Sequence, residues 1–237
     1  MLRAAAGGLA RSALAVTPIT YEVGAALRPK KGERVSGDSK TAFEAEDKLY
    51  LLLSDGMGSG EAARRESAFA ARLLERFLRA GIDAQSTLKT LNSALALRET
   101  ETGSFTTIDL LQLSLCSGEG ELYKYGAAPS YIKRGTSVHR VTCSCLPAGL
   151  QECSQPPEMT HLRLEAGTFF VMVTDGVADA SSDEWLQNLL AGWEGENPQL
   201  LVSAILADSI ERTQEADDAG VLVLYLPKGG ANEISEV

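Results

Sequence analysis

Leu49-Tyr50-Leu51-Leu52-Leu53-Ser54-Asp55-Gly56-Met57-Gly58 is the segment that decides the fold. Its first five residues are apolar on both faces of an extended chain, which is typical of a buried β-strand, and an acidic residue follows where the strand ends. Phe169-Phe170-Val171-Met172-Val173-Thr174-Asp175-Gly176 has the same arrangement. Each segment therefore predicts a carboxylate held at the edge of a rigid sheet.

Two more acidic segments extend this pattern. Ser36-Gly37-Asp38-Ser39 follows a predicted strand over 19–27 and a turn over 29–32, and Asp217-Asp218 precedes a predicted terminal strand over 221–226. An Asp-Gly pair after a strand is by itself most often a turn. The set of four is what indicates a metal-dependent hydrolase, because Mg²⁺ and Mn²⁺ prefer oxygen ligands.

A pair of divalent ions about 4 Å apart needs one carboxylate that bridges both ions and others that hold each ion separately. Asp55 is the candidate bridge, because Gly56 lets the backbone turn so that its carbonyl can also face a metal. We expect Asp175 and Asp217 to complete the shell of the first ion and Asp38 to serve the second.

Composition narrows the class of protein. The chain has 237 residues and is 44% hydrophobic, enough for one large domain or two small ones. A formal net charge of -10 argues against a nucleic-acid or anionic-membrane surface. Two isolated histidines do not predict a histidine-rich zinc centre. The cysteines lack the CxxC spacing of a zinc site, and they are predicted to be reduced. They are Cys116, Cys143, Cys145 and Cys153.

The ends of the chain differ from its middle. Residues 1–16 form a short Ala-rich leader whose apolar stretch is too short for a signal peptide and is broken by Arg11. The tail over 229–237 is polar, and both ends are predicted to be disordered. We therefore expect one domain over 17–228, in the cytoplasm.

The order of elements predicts an α+β fold with antiparallel strands and outer helix pairs. Ser59 and Gly81 bracket one amphipathic helix, and a second follows over 84–98. An antiparallel meander is predicted next, and another pair of helices lies between the last two strands. The predicted strands of the meander are 105–116, 121–125, 130–133 and 138–142; the later elements are a strand over 168–174, helices over 183–192 and 198–213, and the strand over 221–226.

The ordered motifs resemble those of the metal-dependent (type 2C-like, PPM) protein serine/threonine phosphatases, and within them the phosphatase domain of the stage II sporulation protein E group. The resemblance runs from about residue 20 to residue 226. Its most specific segments are 35–39, 54–60 and 88–95, joined by 107–110, 126–135, 146–149 and 174–177.

The resemblance implies a sandwich of two antiparallel sheets flanked by helix pairs. It implies that Asp55 bridges two Mn²⁺ or Mg²⁺ ions with the Gly56 carbonyl as a further ligand, that Asp38 supports the second ion, and that Asp175 and Asp217 are ligands. The implied reaction is hydrolysis of phosphoserine or phosphothreonine on a protein by a metal-activated water. A phosphorylated anti-sigma-factor antagonist in sporulation-type regulation is the implied substrate.

Two departures from the family pattern keep alternatives open. Asp217-Asp218-Ala219-Gly220 stands where the family usually has Asp-Asp-Met/Gln-Thr, so a hydroxyl is lost and either aspartate could be the ligand. A catalytically silent phosphatase-like binding or scaffold module is therefore the alternative function. Relatives of the sporulation group also typically carry membrane-spanning helices upstream, where this sequence has only its short leader.

Two further hypotheses concern residues near the acidic segments. Lys31 or Arg34 could contact the substrate phosphate, since arginine suits bidentate phosphate binding. The helix that starts after Ser59 follows the metal motif directly, so a shift of this helix would move Asp55 and Gly56. We therefore expect that a partner or a regulatory homo-oligomer contact could control activity through this helix.

Overall fold

The computed structural model describes residues 18–97, 105–150, 156–178, 181, 183–214 and 216–228. The predicted leader over 1–16 and the predicted tail over 229–237 lie outside the described residues. The predicted domain boundaries therefore remain predictions.

Two antiparallel five-stranded sheets form the centre of the protein, which confirms the predicted α+β sandwich. Every pairing between neighbouring strands is antiparallel. In spatial order, the first sheet contains β1 (Glu22–Arg28), β10 (Ala219–Leu226), β9 (Thr168–Val173), β6 (Ser130–Arg134) and β7 (Ser137–Val141). The second contains β2 (Ser39–Ala45), β3 (Lys48–Ser54), β4 (Ile108–Ser114), β5 (Glu119–Tyr125) and β8 (Glu158–Arg163).

Strand β3 shows why the opening segment is apolar on both faces. Leu49, Leu51 and Leu53 pack between the two sheets, against residues of β9 and β10 such as Phe170. Leu52 points the other way, into the core beneath the helices of the second sheet. A central strand covered on both sides needs apolar residues at every position, as the sequence predicts.

A pair of helices covers the outer face of each sheet. Helices α1 (Gly60–Arg79) and α2 (Ala84–Ala96) pack on the second sheet, and α3 (Glu184–Gly192) and α4 (Pro198–Thr213) pack on the first. Helix α1 begins after Ser59 as predicted, but the Ser59 side chain makes no capping hydrogen bond. The predicted end of the helix at Gly81 is confirmed, since Gly81 has a φ of +78° just beyond the last helical residue.

The predicted meander is wrong in one respect, because its strands belong to different sheets. β4 and β5 pair in the second sheet, whereas β6 and β7 lie in the first, where β6 pairs with β9. The chain crosses between the sheets after β5, at Gly126, whose φ is +58°. A two-residue periodicity shows which residues face the core but not which sheet a strand joins.

Strands β2 and β8 were not predicted from the sequence. Both are edge strands of the second sheet. Only Phe43 of β2 is fully buried, and no residue of β8 is. Edge strands carry polar side chains that hide the apolar pattern on which strand prediction rests.

A buried ion pair in the second sheet is hydrogen-bonded to the segment that crosses to the first sheet. The Lys124 ammonium on β5 lies 2.8 Å from a carboxylate oxygen of Asp109 on β4, and both side chains are only 2% exposed. The Ser130 hydroxyl at the start of β6 donates to the same carboxylate at 2.6 Å, and Lys124 also donates to the Ala128 carbonyl at 2.7 Å. This pair therefore fixes the segment that crosses from one sheet to the other.

Replacing Lys124 with methionine should destabilise the protein by about 3–5 kcal/mol, because Asp109 would remain as a buried, unpaired charge. The double variant Asp109→Leu/Lys124→Met should recover much of this loss, since no buried charge remains. Urea unfolding followed by circular dichroism would measure both. Arg134→Met is the matched control, because Arg134 pairs with Glu165 at an exposed position and should cost less than about 1 kcal/mol. Equal losses in Lys124→Met and the control would contradict this prediction.

Candidate active site

Strand pairing brings the predicted acidic residues to one edge of the sandwich. Asp55 directly follows β3, and Asp38 directly precedes β2, the strand whose first residue pairs with the last residue of β3. Asp175 lies just beyond the end of β9, and Asp217 lies just before the start of β10, which pairs with β9. Each antiparallel pair thus places two carboxylates at the same end.

Within this edge, the four carboxylates form a row with Asp55 in the middle. The Asp55 carboxylate lies close enough to those of Asp38 and Asp175 that each of the two affects the pKa of Asp55, and Asp55 affects theirs. Asp217 adds negative charge that acts on both Asp55 and Asp175. Among the described residues, no three of these carboxylates place ligand atoms within 4.8 Å of one another. The carboxylates are therefore arranged along a row and do not converge on one point.

Partial removal from water and mutual repulsion give the row unusual acid–base properties. Removal from water raises the pKa of Asp55 to about 9 and that of Asp38 to about 7, and the neighbouring carboxylates add to the effect. The pKa of Asp175 is raised for the same two reasons. Asp38 is fully buried, and its Oδ1 has no hydrogen-bond partner among the described residues. These residues fit hard divalent cations, which would neutralise the charge and use the free oxygen.

The two adjacent aspartates before β10 have different surroundings. Asp218 is 3% exposed, and its two carboxylate oxygens accept from the backbone N–H groups of Lys30 (2.7 Å) and Gly37 (2.9 Å). Asp218 therefore fastens both ends of the loop that leads to Asp38. Asp217 is exposed, and its only hydrogen bond among the described contacts comes from the Asp218 N–H at 2.8 Å. This geometry favours Asp217 as the residue available to a metal.

A hydroxyl from the neighbouring strand end lies beside the Asp217-Asp218-Ala219-Gly220 segment. The Thr174 hydroxyl donates to Asp38 at 3.0 Å and accepts from the Gly220 N–H at 2.7 Å. A Cβ added at Gly220 would lie 2.9 Å from the Asp38 carboxylate. Gly220 therefore leaves space for the Asp38 carboxylate, and this part of the site still contains a hydroxyl group.

The backbone around Asp55 is held from two sides. The Asp55 N–H donates to the Thr107 hydroxyl at 3.0 Å, and the Thr107 N–H donates to the Asp55 carbonyl at 2.9 Å. On the other side, a Cβ added at Gly56 would lie 2.0 Å from the Ala63 carbonyl oxygen of α1. Only glycine permits this approach, so the first turn of α1 sets the position of the Asp55-Gly56 backbone.

A cleft of about 410 Å³ opens beside Asp38, and basic side chains line it. These are Lys40, Arg64 and Arg72, which were not predicted from the sequence. Arg64 and Arg72 lie two turns apart on α1, so helical spacing could have identified their shared face. Lys31 and Arg34, the predicted phosphate contacts, are exposed on the nearby loop over 30–37 and are not among the residues that line this cleft.

Comparisons with known proteins agree with this geometry. The family model described as Stage II sporulation protein E (SpoIIE) matches residues 45–227. Stage II sporulation protein E of Bacillus subtilis (strain 168) is 35% identical over 212 residues, which cover 86% of this chain and 25% of that protein. The protein of the same name from Priestia megaterium is 33% identical over 214 residues, covering 86% of this chain and 36% of that protein. The chain thus spans between a quarter and about a third of the length of these relatives.

Solved structures show the same likeness. A structure of the PP2C phosphatase domain and a fragment of the regulatory domain of SpoIIE from Bacillus subtilis aligns with a TM-score of 0.80 at 33% identity, over 90% of this chain and 65% of that chain. RsbX in complex with magnesium aligns with a TM-score of 0.65 at 19% identity, over 87% of this chain and 95% of that chain, which shows a shared fold. The chain belongs to the stage II sporulation protein E family, and it matches the PP2C-type phosphatase domain of that family.

Proposed function

We propose that this chain is a metal-dependent protein serine/threonine phosphatase. The observation that carries the proposal is the row of carboxylates at one edge of the sandwich, in which the half-buried Asp55 interacts with both the buried Asp38 and the exposed Asp175. Membership of the SpoIIE family and the likeness to a PP2C phosphatase domain support the same reaction. The substrate class is a protein that carries phosphoserine or phosphothreonine.

Two divalent ions, Mn²⁺ or Mg²⁺, are the proposed cofactors. Asp55 and the Gly56 carbonyl would lie between them, with Asp38 on one side and with Asp175 and Asp217 on the other. Bound there, such ions supply the positive charge that activates water and neutralises a phosphate ester. The protein contributes the rigid strand ends, the desolvated surroundings and the hydrogen bond from Thr174 that orients Asp38.

The cleft beside Asp38 is the proposed entry for the phosphorylated segment. Arg64 and Lys40 line the cleft and make it locally positive, although the chain as a whole has a net charge of -10. Lys31 and Arg34 remain candidates for the substrate phosphate from the loop that Asp218 fastens. Arginine in particular can bind a phosphate with two parallel N–H donors.

The proposed substrate is a phosphorylated anti-sigma-factor antagonist, which family membership supports. The proposed location remains the cytoplasm. None of the described helices combines the length and the apolar character needed to cross a membrane.

Helix α1 is the proposed route by which a partner or a second copy regulates the site. It touches the loops on both sides of the row: Ala63 packs against Gly56, and the buried Ser67 donates to the Gly37 carbonyl and contacts the Ser39 hydroxyl at 2.8 Å. Its outer face holds a groove of about 250 Å³ lined by aromatic, aliphatic and basic side chains: Phe69, Arg72, Leu73, Arg76 and Phe77. A contact there would reach both metal-binding loops through one rigid helix.

The catalytically silent alternative requires a defective metal site. The structure supports the enzyme instead, because all four acidic positions meet at one edge and the Thr174 hydroxyl donates to Asp38. A folded protein that binds neither Mn²⁺ nor Mg²⁺ would favour the silent module.

Asp55→Asn and Asp175→Asn should each lower turnover at least about 100-fold, because each removes a charge that holds a metal against the developing phosphate charge. The measurement is Mn²⁺-dependent phosphate release from a phosphoserine protein. Asp208→Asn on the exposed face of α4 makes the same chemical change away from the row and should keep full activity. Full activity in Asp55→Asn would contradict the proposed mechanism.

The two adjacent aspartates should separate into a ligand and a structural anchor. Asp217→Asn should weaken Mn²⁺ binding and leave the free energy of unfolding within about 0.5 kcal/mol of the wild type, since the side chain is exposed. Asp218→Asn should cost about 1–3 kcal/mol of stability, because its amide nitrogen would face a backbone N–H. Calorimetric titration and urea unfolding of both variants test this, and the reverse pattern would exchange the two roles.

Metal affinity should rise with pH. The raised pKa values mean that the metal-free folded protein holds protons on Asp38 and Asp55 that the unfolded chain has released above about pH 4. The stability of the metal-free protein should therefore fall as the pH rises from about 4 through 7 and towards 9.

A bound cation displaces the same protons, so affinity for Mg²⁺ should increase up to about tenfold per pH unit for each proton released. Titration calorimetry in buffers with different ionisation enthalpies, between about pH 6 and 9, measures both affinity and proton release. Asp55→Asn should release fewer protons than the wild type. Binding that is independent of pH and releases no protons would refute this account.

A further inference from the structure

A second group of metal-ligating side chains lies away from the acidic row. The sulfur atoms of Cys143 and Cys145 lie 3.4 Å apart, and a Glu158 carboxylate oxygen lies with both of them inside a 4.8 Å group. Among the described residues, this is the one group in which three such ligand atoms approach one another so closely. The CxC spacing did not predict it, because Glu158 joins from a separate segment.

The chain builds this group from two strand ends of different sheets. Cys143 and Cys145 flank Ser144 just after β7, and Glu158 is the first residue of β8. The Ser144 N–H donates to the Glu158 carboxylate at 2.9 Å, and the Ser144 hydroxyl contacts the same oxygen at 3.3 Å. The residue between the cysteines therefore holds the carboxylate beside the sulfur atoms.

One side of the group is anchored in the protein and the other faces solvent. The Cys145 thiol donates to the Lys124 carbonyl at 3.0 Å and packs against the core between the second sheet and its helices. Cys143 is half-buried and Glu158 is exposed. Cys145 is thus held in place by the protein, and an ion can reach the group from the side that faces solvent.

We propose that Cys143, Cys145 and Glu158 bind Zn²⁺, with water in the fourth position. Zinc–sulfur bonds of about 2.3 Å in a tetrahedral site place two sulfur atoms a little under 4 Å apart, so the observed 3.4 Å requires only a small opening. A disulfide would instead need the sulfur atoms at about 2.0 Å. Binding releases the two thiol protons to solvent and leaves the oxidation state of sulfur unchanged.

The two proposed sites differ in the ions that they select. Thiolates are soft ligands that favour Zn²⁺, whereas the all-oxygen acidic row suits Mg²⁺ or Mn²⁺. The cysteine site therefore does not depend on the proposed phosphatase activity. Either site could fail while the other is present.

Titration of the reduced, metal-free chain with Co²⁺ tests the cysteine site, because cobalt–thiolate charge-transfer absorption in the near ultraviolet does not arise from carboxylates. We expect one equivalent of Co²⁺ to produce this band and Zn²⁺ to abolish it by competition. The band should disappear in Cys143→Ser and in Cys145→Ser, and Glu158→Gln should weaken cobalt binding about tenfold or more.

Two controls separate this site from other thiols and from the acidic row. Cys116→Ser removes an exposed cysteine outside the group, and Asp55→Asn disables the row, so both variants should keep the band. Circular dichroism establishes that the Cys143→Ser and Cys145→Ser variants fold. The proposal is overturned if the folded wild type shows no thiolate band, if the band survives loss of either cysteine, or if mass spectrometry finds a Cys143–Cys145 disulfide in place of bound metal.

Discussion

Repulsion among closely spaced carboxylates is the constraint on which the rest of this structure depends. The buried Asp38, the half-buried Asp55 and the exposed Asp175 lie at one edge of a sandwich, where neighbouring carboxylates make each of them harder to ionise. Such an arrangement persists only when the backbone is fixed independently of the side chains. Here the strand pairs β2–β3 and β9–β10 provide that fixation, since their registers continue to the residues that flank the row.

Close packing of backbone against backbone completes the site. Gly56 meets the Ala63 carbonyl of α1, and Gly176 meets the Asp218 carbonyl, where an added Cβ would lie 1.9 Å away. Both carboxylate oxygens of Asp218 accept from backbone N–H groups, so this residue stabilises the loop and is not available to an ion. An acidic pair in a sequence can thus divide into one residue that shapes the site and one that remains available to it.

The sequence predicted those parts of the structure that follow from local pattern. Helix α4 was predicted with the bounds that the structure has, and strand β3 extends only one residue beyond each end of the predicted apolar run, because a strand buried on both faces is a strong local signal. The edge strands β2 and β8 were missed because their polar residues face solvent. Helical spacing could have placed Arg64 and Arg72 on one face of α1, but the group of Cys143, Cys145 and Glu158 could not be derived from spacing, since tertiary contacts alone bring those residues together.

Thr106 connects the proposed cysteine site with the acidic row. Its backbone exchanges two hydrogen bonds with Ala148, at 3.1 and 3.0 Å, and Ala148 lies three residues after Cys145. Its hydroxyl donates to the Asp55 carbonyl, and its backbone bridges to Gly56. An ion held by Cys143, Cys145 and Glu158 would stiffen the segment that carries Ala148, and through Thr106 it would restrict the backbone of Asp55. Because Asp55 lies between Asp38 and Asp175 and interacts with both, this restriction would act at the centre of the row.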